Sequence, residues 1–464
     1  MLSPIISPHG GCVHGRQSLQ DRFASRLSVR ESLSRRVVSY QGNKSAPGLR
    51  WMKYKEGFSS ELVDTLIDEA ESRRVLDPFA GIGTTPLIAA GRGLEGTGIE
   101  IMPVGVLAGN AMATAANGIR PDEFDKAADQ LLKRIESKRK PRKKDAFRHV
   151  RITESAFSDQ TELDLAKAKG YIEQMGNAPV ATLLNLACMS VLEDISYTRK
   201  DGQYLRWDHR SGRSLRSHMD KGEIQSLANA LRTRLREISE DIEPLNLKFG
   251  SGSPTLKTAS CLDALRKMPS ASMDTVITSP PYANRYDYTR TYALELVWLG
   301  LDQNDFTALR QNLLSATVEN KSKMTWLHEF YGESSLLKNA VAMYSGQEAI
   351  QEILATLEGK RKELSNPHII RLIEGYFFEM AIVIAELGRI IIPGGTVFMV
   401  NDNVQYHGEE VPVDLILSDF AEQSGFECRN IWSLARGKGN SSQQMGRFGR
   451  REIRKCLYKW VRTT

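Results

Sequence analysis

Cysteine is scarce in this sequence, and its spacing excludes two kinds of stabilisation. The five cysteines lie far apart in 464 residues, with no Cys-x-x-Cys pair and no histidine at metal-ligand spacing. A disulfide framework and a bound metal are therefore not expected, and a reducing cytoplasm fits. Long apolar runs are also missing, because the stretch 380–392 is broken by Glu386 and Arg389, whereas a membrane helix needs about 20 apolar residues. We expect a soluble, cytoplasmic protein without membrane contact.

The overall composition excludes several classes for the chain as a whole. Hydrophobic residues make up 41% and charged residues 25%, values typical of globular proteins, so the chain is not a disordered, collagenous or coiled-coil protein. The net charge of +6 is mild and identifies no partner by itself. At about 150 residues per domain, the length predicts three units or one core with large insertions.

The texture of the chain changes several times along its length. Residues 1–45 are rich in Ser and Arg, with only Asp21 and Glu31 as acids, and predict a basic, flexible N-terminal arm. Three α/β stretches are predicted to form one core, and they are 46–110, 251–300 and 371–464. Two polar, helical stretches are predicted as insertions, and they are 111–250 and 301–370. We expect a single α/β core that is interrupted twice.

A glycine loop follows the first predicted core strand. The sequence DPFAGIGTT at 77–85 comes after the apolar pair Val75 and Leu76, and Thr85 followed by Pro86 predicts the N-cap and first position of a helix. A second strand, 96–101, carries Glu100 near its end. Strand, loop, helix and strand form a βαβ unit, which predicts a parallel sheet with a ligand crevice at this loop.

The loop and the acid suggest the class of ligand, although an ordinary tight turn is the alternative. Gly81 and Gly83 let the backbone approach a ligand closely, and Glu100 can accept both hydroxyls of a ribose. Neither a GxGxxG fingerprint nor a P-loop lysine is present, so a nucleoside without a pyrophosphate fits better. Asp263 follows a predicted strand at 256–262 and can accept from an exocyclic amine such as adenine N6, or can cap a helix instead.

The strongest motif is Thr278-Ser279-Pro280-Pro281-Tyr282, at the end of a predicted buried strand over 275–278. Prolines lack an N–H group and fix φ, so the carbonyl oxygens beside them stay rigid and unpaired within the backbone. The Ser279 hydroxyl adds an acceptor, and the Tyr282 ring offers a face for stacking. These groups can receive both hydrogens of an aromatic amine and orient its nitrogen toward an electrophile. A strand that merely ends at Pro-Pro is the alternative.

The motifs at 77–85 and 278–282, preceded by Phe58 in the segment 51–59, resemble those of the amino-group DNA methyltransferases that use S-adenosylmethionine. The resemblance implies an α/β fold with a Rossmann-like class I methyltransferase sheet and, here, two mainly helical insertions. It implies a donor-binding set consisting of Phe58, Asp77, Pro78, Phe79, Gly81, Gly83, Thr84, Thr85, Glu100 and Asp263. Within this set, Glu100 takes the ribose and Asp263 the adenine. The catalytic set around a flipped target base is Ser279, Pro280, Pro281 and Tyr282.

Three segments are candidates for contact with DNA, because a base inside a duplex must be flipped and its strands held. The stretch 199–216 interleaves cations and aromatics, and packing of the insertion is its alternative. The segment after the catalytic motif and a donor-rich loop at 436–444 are the others. The candidate residues are Arg206, Trp207, Arg210, Arg285, Tyr286, Tyr288, Lys438, Asn440 and Ser441.

The predicted activity is site-specific methylation of an exocyclic base nitrogen in DNA. The resemblance favours N4 of cytosine over N6 of adenine, because Ser precedes Pro-Pro-Tyr where the adenine enzymes usually carry Asp. Cys261 stands outside any Pro-Cys motif, which argues against C5-cytosine chemistry. The alternatives are methylation of RNA or of a protein amide, and a catalytically silent DNA-binding subunit. A restriction or defence-system protein is the expected partner besides DNA.

Overall fold

The computed structural model describes residues 7, 13–55, 57–201, 204–214, 219–249, 254–435 and 453–463. Its strands, numbered in chain order, are β1 Leu27–Val29, β2 Arg74–Asp77, β3 Glu95–Glu100, β4 Thr198–Asp201, β5 Tyr204–Trp207, β6 Thr255–Thr258, β7 Met273–Thr278, β8 Ile391–Asp402, β9 Val404–Tyr406, β10 Glu409–Val411, β11 Phe426–Ser433 and β12 Lys455–Arg462.

The α-helices surround these strands and also form most of the insertions. They are α1 His14–Phe23, α2 Ser60–Asp68, α3 Thr84–Gly91, α4 Pro103–Ala116, α5 Pro121–Glu136, α6 Asp159–Ile172, α7 Ala178–Ser190, α8 Leu192–Ile195, α9 Leu227–Phe249, α10 Cys261–Ala264, α11 Tyr288–Thr291, α12 Ala293–Trp298, α13 Gln303–Asn312, α14 Met324–Tyr331, α15 Ser335–Gly346, α16 Glu348–Gly359, α17 Ile369–Ile390 and α18 Val413–Gln423. Within the described residues, none of these helices is both long and apolar enough to cross a bilayer.

Eight of the described strands form one sheet in the order β1-β11-β12-β8-β7-β2-β3-β6. All neighbours pair in parallel except at β12, which is antiparallel to both β11 and β8. The chain runs from β2 outward through β3 to β6 and then returns to β7 on the other side of β2. Strand order therefore reverses between β2 and β7, and such a switch point is where open α/β sheets bind ligands. The predicted Rossmann-like sheet is confirmed.

The centre of the sheet is buried from solvent, because its strands carry apolar side chains on both faces. In β7, Val276 and Ile277 are each at most 1% exposed, as expected for a parallel strand covered by helices on both sides. Helix α17 packs against the sheet and begins at Ile369. The first insertion comprises α5 to α9 with the β4–β5 hairpin, and the second comprises α13 to α16, so both are mainly helical as predicted.

Two predicted element boundaries near the ligand crevice are wrong. Helix α3 begins at Thr84 with Gly83 as its N-cap, in the left-handed conformation, so Thr85 is inside the helix. The strand predicted over 256–262 ends at Thr258, and Ser260 caps the short helix α10. In both places a residue that turns the backbone precedes the residue that the pattern favoured as the boundary.

The N-terminal segment differs from the predicted flexible arm wherever it is described. Helix α1 packs on the fold, and β1 adds a parallel strand beyond β11. The Arg16 side chain is fully buried and forms ion pairs of 2.5 Å with Glu352 and 2.9 Å with Glu409. A buried guanidinium needs such carboxylate partners, and they lie more than 300 residues away, so the local sequence gave no sign of them.

Candidate active site

The glycine loop and the catalytic motif meet at the switch point through a direct hydrogen bond. Asp77 closes β2, and its carboxylate accepts from the Thr278 hydroxyl at 2.6 Å and from the Phe79 backbone N–H at 3.0 Å. The Asp77 side chain is buried, and burial raises its pKa to about 6, although these hydrogen bonds oppose the shift. Asp77 thus fixes the start of the glycine loop to the end of β7.

A cavity of about 750 Å³, its open mouth included, lies above this junction. It is lined by seven residues of the predicted donor-binding set and by two residues of the catalytic motif. The seven are Phe58, Asp77, Pro78, Phe79, Gly81, Thr84 and Glu100, and the two are Ser279 and Pro281.

Glu100 stands at the end of β3 with its carboxylate facing the loop. One oxygen accepts from the Gly81 backbone N–H at 2.7 Å and the other from the Met102 N–H at 2.6 Å. Burial raises the pKa of Glu100 to about 7, while these two bonds act in the opposite direction. A carboxylate has about four acceptor positions, so Glu100 keeps acceptor capacity for a ribose hydroxyl beside these backbone bonds. The Glu100 carboxylate therefore fits a ribose.

Glycine is required where the loop passes its neighbours. Gly81 has φ of +55°, and a Cβ there would lie 3.0 Å from Cε1 of Tyr54. Gly105 of α4 has a stricter reason, since its Cβ would lie 2.3 Å from the Gly81 carbonyl oxygen. The loop is therefore held between an aromatic ring and a helix backbone.

Three members of the predicted donor-binding set lie outside the lining of this cavity. Gly83 caps α3, and Thr85 is buried beneath the loop, where its hydroxyl donates to the Ile277 carbonyl at 3.1 Å. Asp263 is paired with Lys267 at 2.6 Å and lines an adjoining cavity instead. Ser260 lines both cavities, whereas Asp263 lines only the second, and the adenine contact of Asp263 stays a prediction. The predicted N-cap role of Asp263 is taken by Ser260.

The catalytic motif is backed by a lysine that the sequence pattern did not reveal. The Ser279 hydroxyl donates to the Tyr282 hydroxyl at 3.2 Å. Nζ of Lys455 lies 5.3 Å from the centroid of the Tyr282 ring and 3.4 Å from the Asp402 carboxylate. Asp402 and Lys455 are paired in register where β8 ends and β12 begins. Burial opposes the charge of Lys455, but Asp402 raises its pKa above the ordinary value, so Lys455 carries a positive charge.

The segment after the catalytic motif continues along the edge of the site. Arg285 adopts a left-handed backbone conformation with φ of +68°, and its guanidinium donates to Ser365 at 3.3 Å. The rings of Tyr286 and Tyr288 meet edge to face at 5.0 Å, and Tyr288 lines the donor cavity. Arg285 and Tyr286 thus flank the catalytic motif, while Tyr288 belongs equally to the cavity wall.

The other predicted DNA contacts divide by exposure. Arg206 is exposed on the β4–β5 hairpin and forms an ion pair with Asp201. Trp207 is only 7% exposed, and Cζ of Arg213 lies 3.8 Å from its ring centroid, as the packing alternative expects, so its DNA contact stays a prediction. Arg210 is bound to Asp208 at 2.7 Å. The remaining predicted contacts, Lys438, Asn440 and Ser441, lie outside the described residues.

Several cavity residues were missed at the level of sequence. Tyr54 belongs to the segment that resembles the element before the glycine loop, so a signal for it was present. Asn312, Leu313 and Leu314 come from the second insertion, which carries no motif. Cys261 also lines the cavity, in the helix that replaces the expected end of a strand.

Comparison with known proteins gives close, near full-length matches. The chain is 43% identical over 456 residues to the type II methyltransferase M.AvaI from Nostoc sp. strain PCC 7120 and, equally, to the one from Anabaena variabilis, covering 96% of this chain and 92% of the relative. It is 39% identical over 475 aligned positions to the type II methyltransferase M.BsoBI of Geobacillus stearothermophilus, covering 96% and 91%. No family model and no solved structure matches it.

These identities extend over both core and insertions, and the cavity is lined by the glycine loop and by Glu100, whose carboxylate accepts from the Gly81 N–H. The predicted RNA, protein-amide and silent-subunit alternatives receive no support from the relatives. The chain therefore belongs to the type II DNA methyltransferases of restriction–modification systems, and S-adenosylmethionine is its methyl donor.

Proposed function

We propose that this protein methylates the exocyclic amino nitrogen of a flipped DNA base, N4 of cytosine in preference to N6 of adenine. The observation that supports this is the shared cavity, since Ser279 and Pro281 line the same space as the glycine loop. A base held by the catalytic motif then faces the donor directly. The base preference follows from Ser279, which stands where the adenine enzymes usually carry a carboxylate.

The catalytic motif acts by gripping the amine. Because the Ser279 hydroxyl donates to Tyr282, its lone pairs remain available to accept a hydrogen from the amine. Pro280 and Pro281 contribute no N–H groups, so the neighbouring carbonyl oxygen can take the second hydrogen. Tyr282 supplies a ring for stacking. This grip turns the nitrogen lone pair toward the methyl group, and S-adenosylmethionine supplies that methyl in an already electrophilic form.

The donor is held by the residues that surround the cavity. Glu100 takes the ribose hydroxyls, Asp77 and Gly81 border the methionine part, and Asp263 takes the adenine, with Ser260 beside it. Apolar walls for the donor come from Phe58, Pro78 and Phe79, with Thr84 at the start of α3. Exclusion of water by these walls protects the methyl group from hydrolysis.

The thiol groups argue against C5-cytosine chemistry, which needs a thiolate nucleophile. The four described cysteines are all buried. Cys261 lines the cavity, but burial raises its pKa well above the ordinary value, so it stays a neutral thiol. A neutral thiol is a weak nucleophile, which favours direct transfer to an amino nitrogen.

We assign DNA contact to charged and polar residues of the first insertion, of the segment after the catalytic motif and of the loop at 436–444. Arg206 and Arg210 on the first insertion, and Arg285 and Tyr286 beside the motif, are the described candidates. Lys438, Asn440 and Ser441 complete this set from the sequence, and a cognate restriction enzyme is the proposed partner in the cell. Phosphate contacts of this kind set affinity and salt dependence rather than sequence preference.

The test combines binding, transfer and product identity. The double variant Ser279→Ala with Tyr282→Ala should bind S-adenosylmethionine in calorimetry like the parent protein but transfer no tritiated methyl to DNA. Nucleoside digestion of DNA methylated by the parent protein should yield N4-methylcytosine. Cys261→Ala should retain transfer, because no thiolate takes part.

Each arm has an outcome that would overturn the proposal. Transfer by the double variant at the parental rate would exclude the catalytic assignment. Loss of transfer in Cys261→Ala together with 5-methylcytosine in the digest would replace amino chemistry by C5 chemistry. N6-methyladenine would keep the mechanism and reverse only the base preference.

A further inference from the structure

A buried ion pair joins the first insertion to the helix that follows the catalytic motif. Lys200 lies on β4 of the hairpin and Glu295 on α12, and their side chains are only 3% and 2% exposed. The ammonium and one carboxylate oxygen are in direct contact. Removing two charges from water is costly, so a buried ion pair adds little to the free energy of unfolding. Its effect here is to fix the hairpin relative to α12.

The same ammonium also contacts an aromatic ring. Nζ of Lys200 lies 4.4 Å from the centroid of the Tyr292 ring, which is a cation–π distance. The Tyr292 hydroxyl accepts from the Lys55 backbone N–H at 3.2 Å, and Nζ of Lys55 donates to the Lys200 carbonyl at 2.7 Å. Lys200 and Tyr292 are therefore held together with the segment that leads into the glycine loop.

The Tyr292 ring also contacts a residue of the donor cavity. The ring stacks on that of Tyr54, with centroids 5.0 Å apart and ring planes 12° from parallel. Tyr54 lines the cavity and lies against Gly81, where an added Cβ would be only 3.0 Å from its ring. An unbroken series of contacts thus runs from Lys200 through Tyr292 and Tyr54 to the glycine loop.

The outer face of the same hairpin carries exposed cations, of which Arg206 is proposed to contact DNA. Arg199 and Arg206 are opposite each other in register and both are exposed, whereas Lys200, adjacent in sequence to Arg199, points inward as strand alternation requires. The β4–β5 hairpin therefore has a charged outer face. On its inner face, Lys200 contacts Tyr292, which stacks on the cavity residue Tyr54.

We propose that Lys200 is a positioning residue of the methyl-donor site, which sets Tyr54 against the glycine loop through Tyr292. This assignment rests on the proposed function only in taking the cavity at Gly81 as the donor site. Lys200 touches neither donor nor base. It makes donor affinity depend on how the first insertion is seated.

The test removes the ion pair as a unit, so that no buried charge is left without a partner. The double variant Lys200→Met with Glu295→Leu should bind S-adenosylmethionine about tenfold more weakly in calorimetry without DNA, as expected for one displaced aromatic wall. In steady-state assays the KM for the donor should rise by a similar factor, while kcat at saturating donor changes little. Tyr292→Phe keeps the stacked ring and should keep donor affinity.

The matched control is another buried pair in the same insertion. Lys167 and Asp164 are 3.0 Å apart, with side chains 7% and 14% exposed, and Lys167 also donates to the Ile135 carbonyl. The variant Lys167→Met with Asp164→Leu should lower thermal stability without changing the donor KM. Equal donor affinity in the two double variants would overturn the positioning role. If the first double variant fails to fold, Tyr292→Leu serves instead, and parental donor affinity in that variant would overturn it equally.

The outcomes are separate from those of the proposed function. Failure of the positioning role leaves donor binding intact in the Lys200 variant. Failure of the amino chemistry appears only in the product digest and in the Ser279 variant.

Discussion

Thr278 and Asp77 are separated by 201 residues, yet the Thr278 hydroxyl donates to the Asp77 carboxylate at 2.6 Å. Both residues are buried at the ends of adjacent parallel strands, so this bond fixes the catalytic motif relative to the glycine loop. Strand pairing alone sets the strands in register, whereas this side-chain bond fixes the two loops that leave them.

Removing that hydroxyl should damage both stability and catalysis. We expect Thr278→Val to lower the free energy of unfolding by about 1.5–3 kcal/mol, the usual range for a hydrogen bond to a charged group. Urea denaturation measures this loss, and the rate of methyl transfer should fall with it. Thr275→Val is the control on the same strand, because it removes only the bond from the Ser72 hydroxyl. Equal activity losses in the two variants would contradict a specific role for Thr278.

Glu100 should make donor binding depend on pH. Its pKa of about 7 in the donor-free protein means that about half of the carboxyl groups are protonated at neutral pH, and a protonated group cannot accept both ribose hydroxyls. Donor affinity should therefore fall as the pH drops from about 8 to about 6. Calorimetry across this range is the measurement.

The stability of the donor-free protein should change in the opposite direction. A raised folded-state pKa means that the folded state binds more protons than the unfolded state between the ordinary value of 4.5 and about 7. Stability then decreases as the pH rises through that window. Glu100→Gln should remove this contribution and the pH dependence of binding, and a dependence that persists unchanged in Glu100→Gln would assign it to another group, of which Asp77 is the nearest candidate.

Gly105 should tolerate no side chain. In Gly105→Ala the new Cβ would lie 2.3 Å from the Gly81 carbonyl oxygen, a backbone atom that cannot swing aside. We expect weaker donor binding and lower stability. Gly346→Ala is the control within another helix, since nothing lies within 4 Å of its Cβ position. That variant should gain up to about 1 kcal/mol from helix propensity, and normal donor affinity in Gly105→Ala would refute the proposed contact.

Lys455 should affect catalysis rather than donor binding. Lys455→Met removes the charge beside Tyr282 and leaves Asp402 without its ion-pair partner. We expect kcat to fall about tenfold or more through misplacement of the target base, with donor affinity unchanged. Lys459→Met is the control, because Lys459 lies four positions along the same strand and contacts Phe398 instead. A kcat loss shared by both variants would indicate a general effect on β12.

The sequence was informative wherever a motif follows a strand. Asp77, Gly81, Glu100 and Ser279 were predicted as neighbours because parallel strands end at one edge of a sheet, and hydrogen bonds and a common cavity connect them in the structure. The strand before Asp263 was predicted too long, because an apolar pattern concealed the end of β6 at Thr258 and the helix cap at Ser260.

Other features depended on distant parts of the chain. The ordered N-terminal segment depends on carboxylates more than 300 residues away from Arg16, and Lys200 finds its partner 95 residues later. Lys455 has no motif of its own and becomes meaningful only beside Tyr282. Pairings at such separations leave no periodic trace in a single sequence.

The antiparallel strand β12 has a consequence for how the sheet is completed. Among the described strands, β11 pairs only with β1 and β12, so residues 455–462 connect β1 and β11 to the remaining five strands of the sheet. During synthesis these residues leave the ribosome among the last of this sequence, whereas β1 leaves among the first. Strand β1 can therefore join the main sheet only after β12 has been synthesised. A nascent chain that stopped short of β12 would expose an open sheet edge at β8.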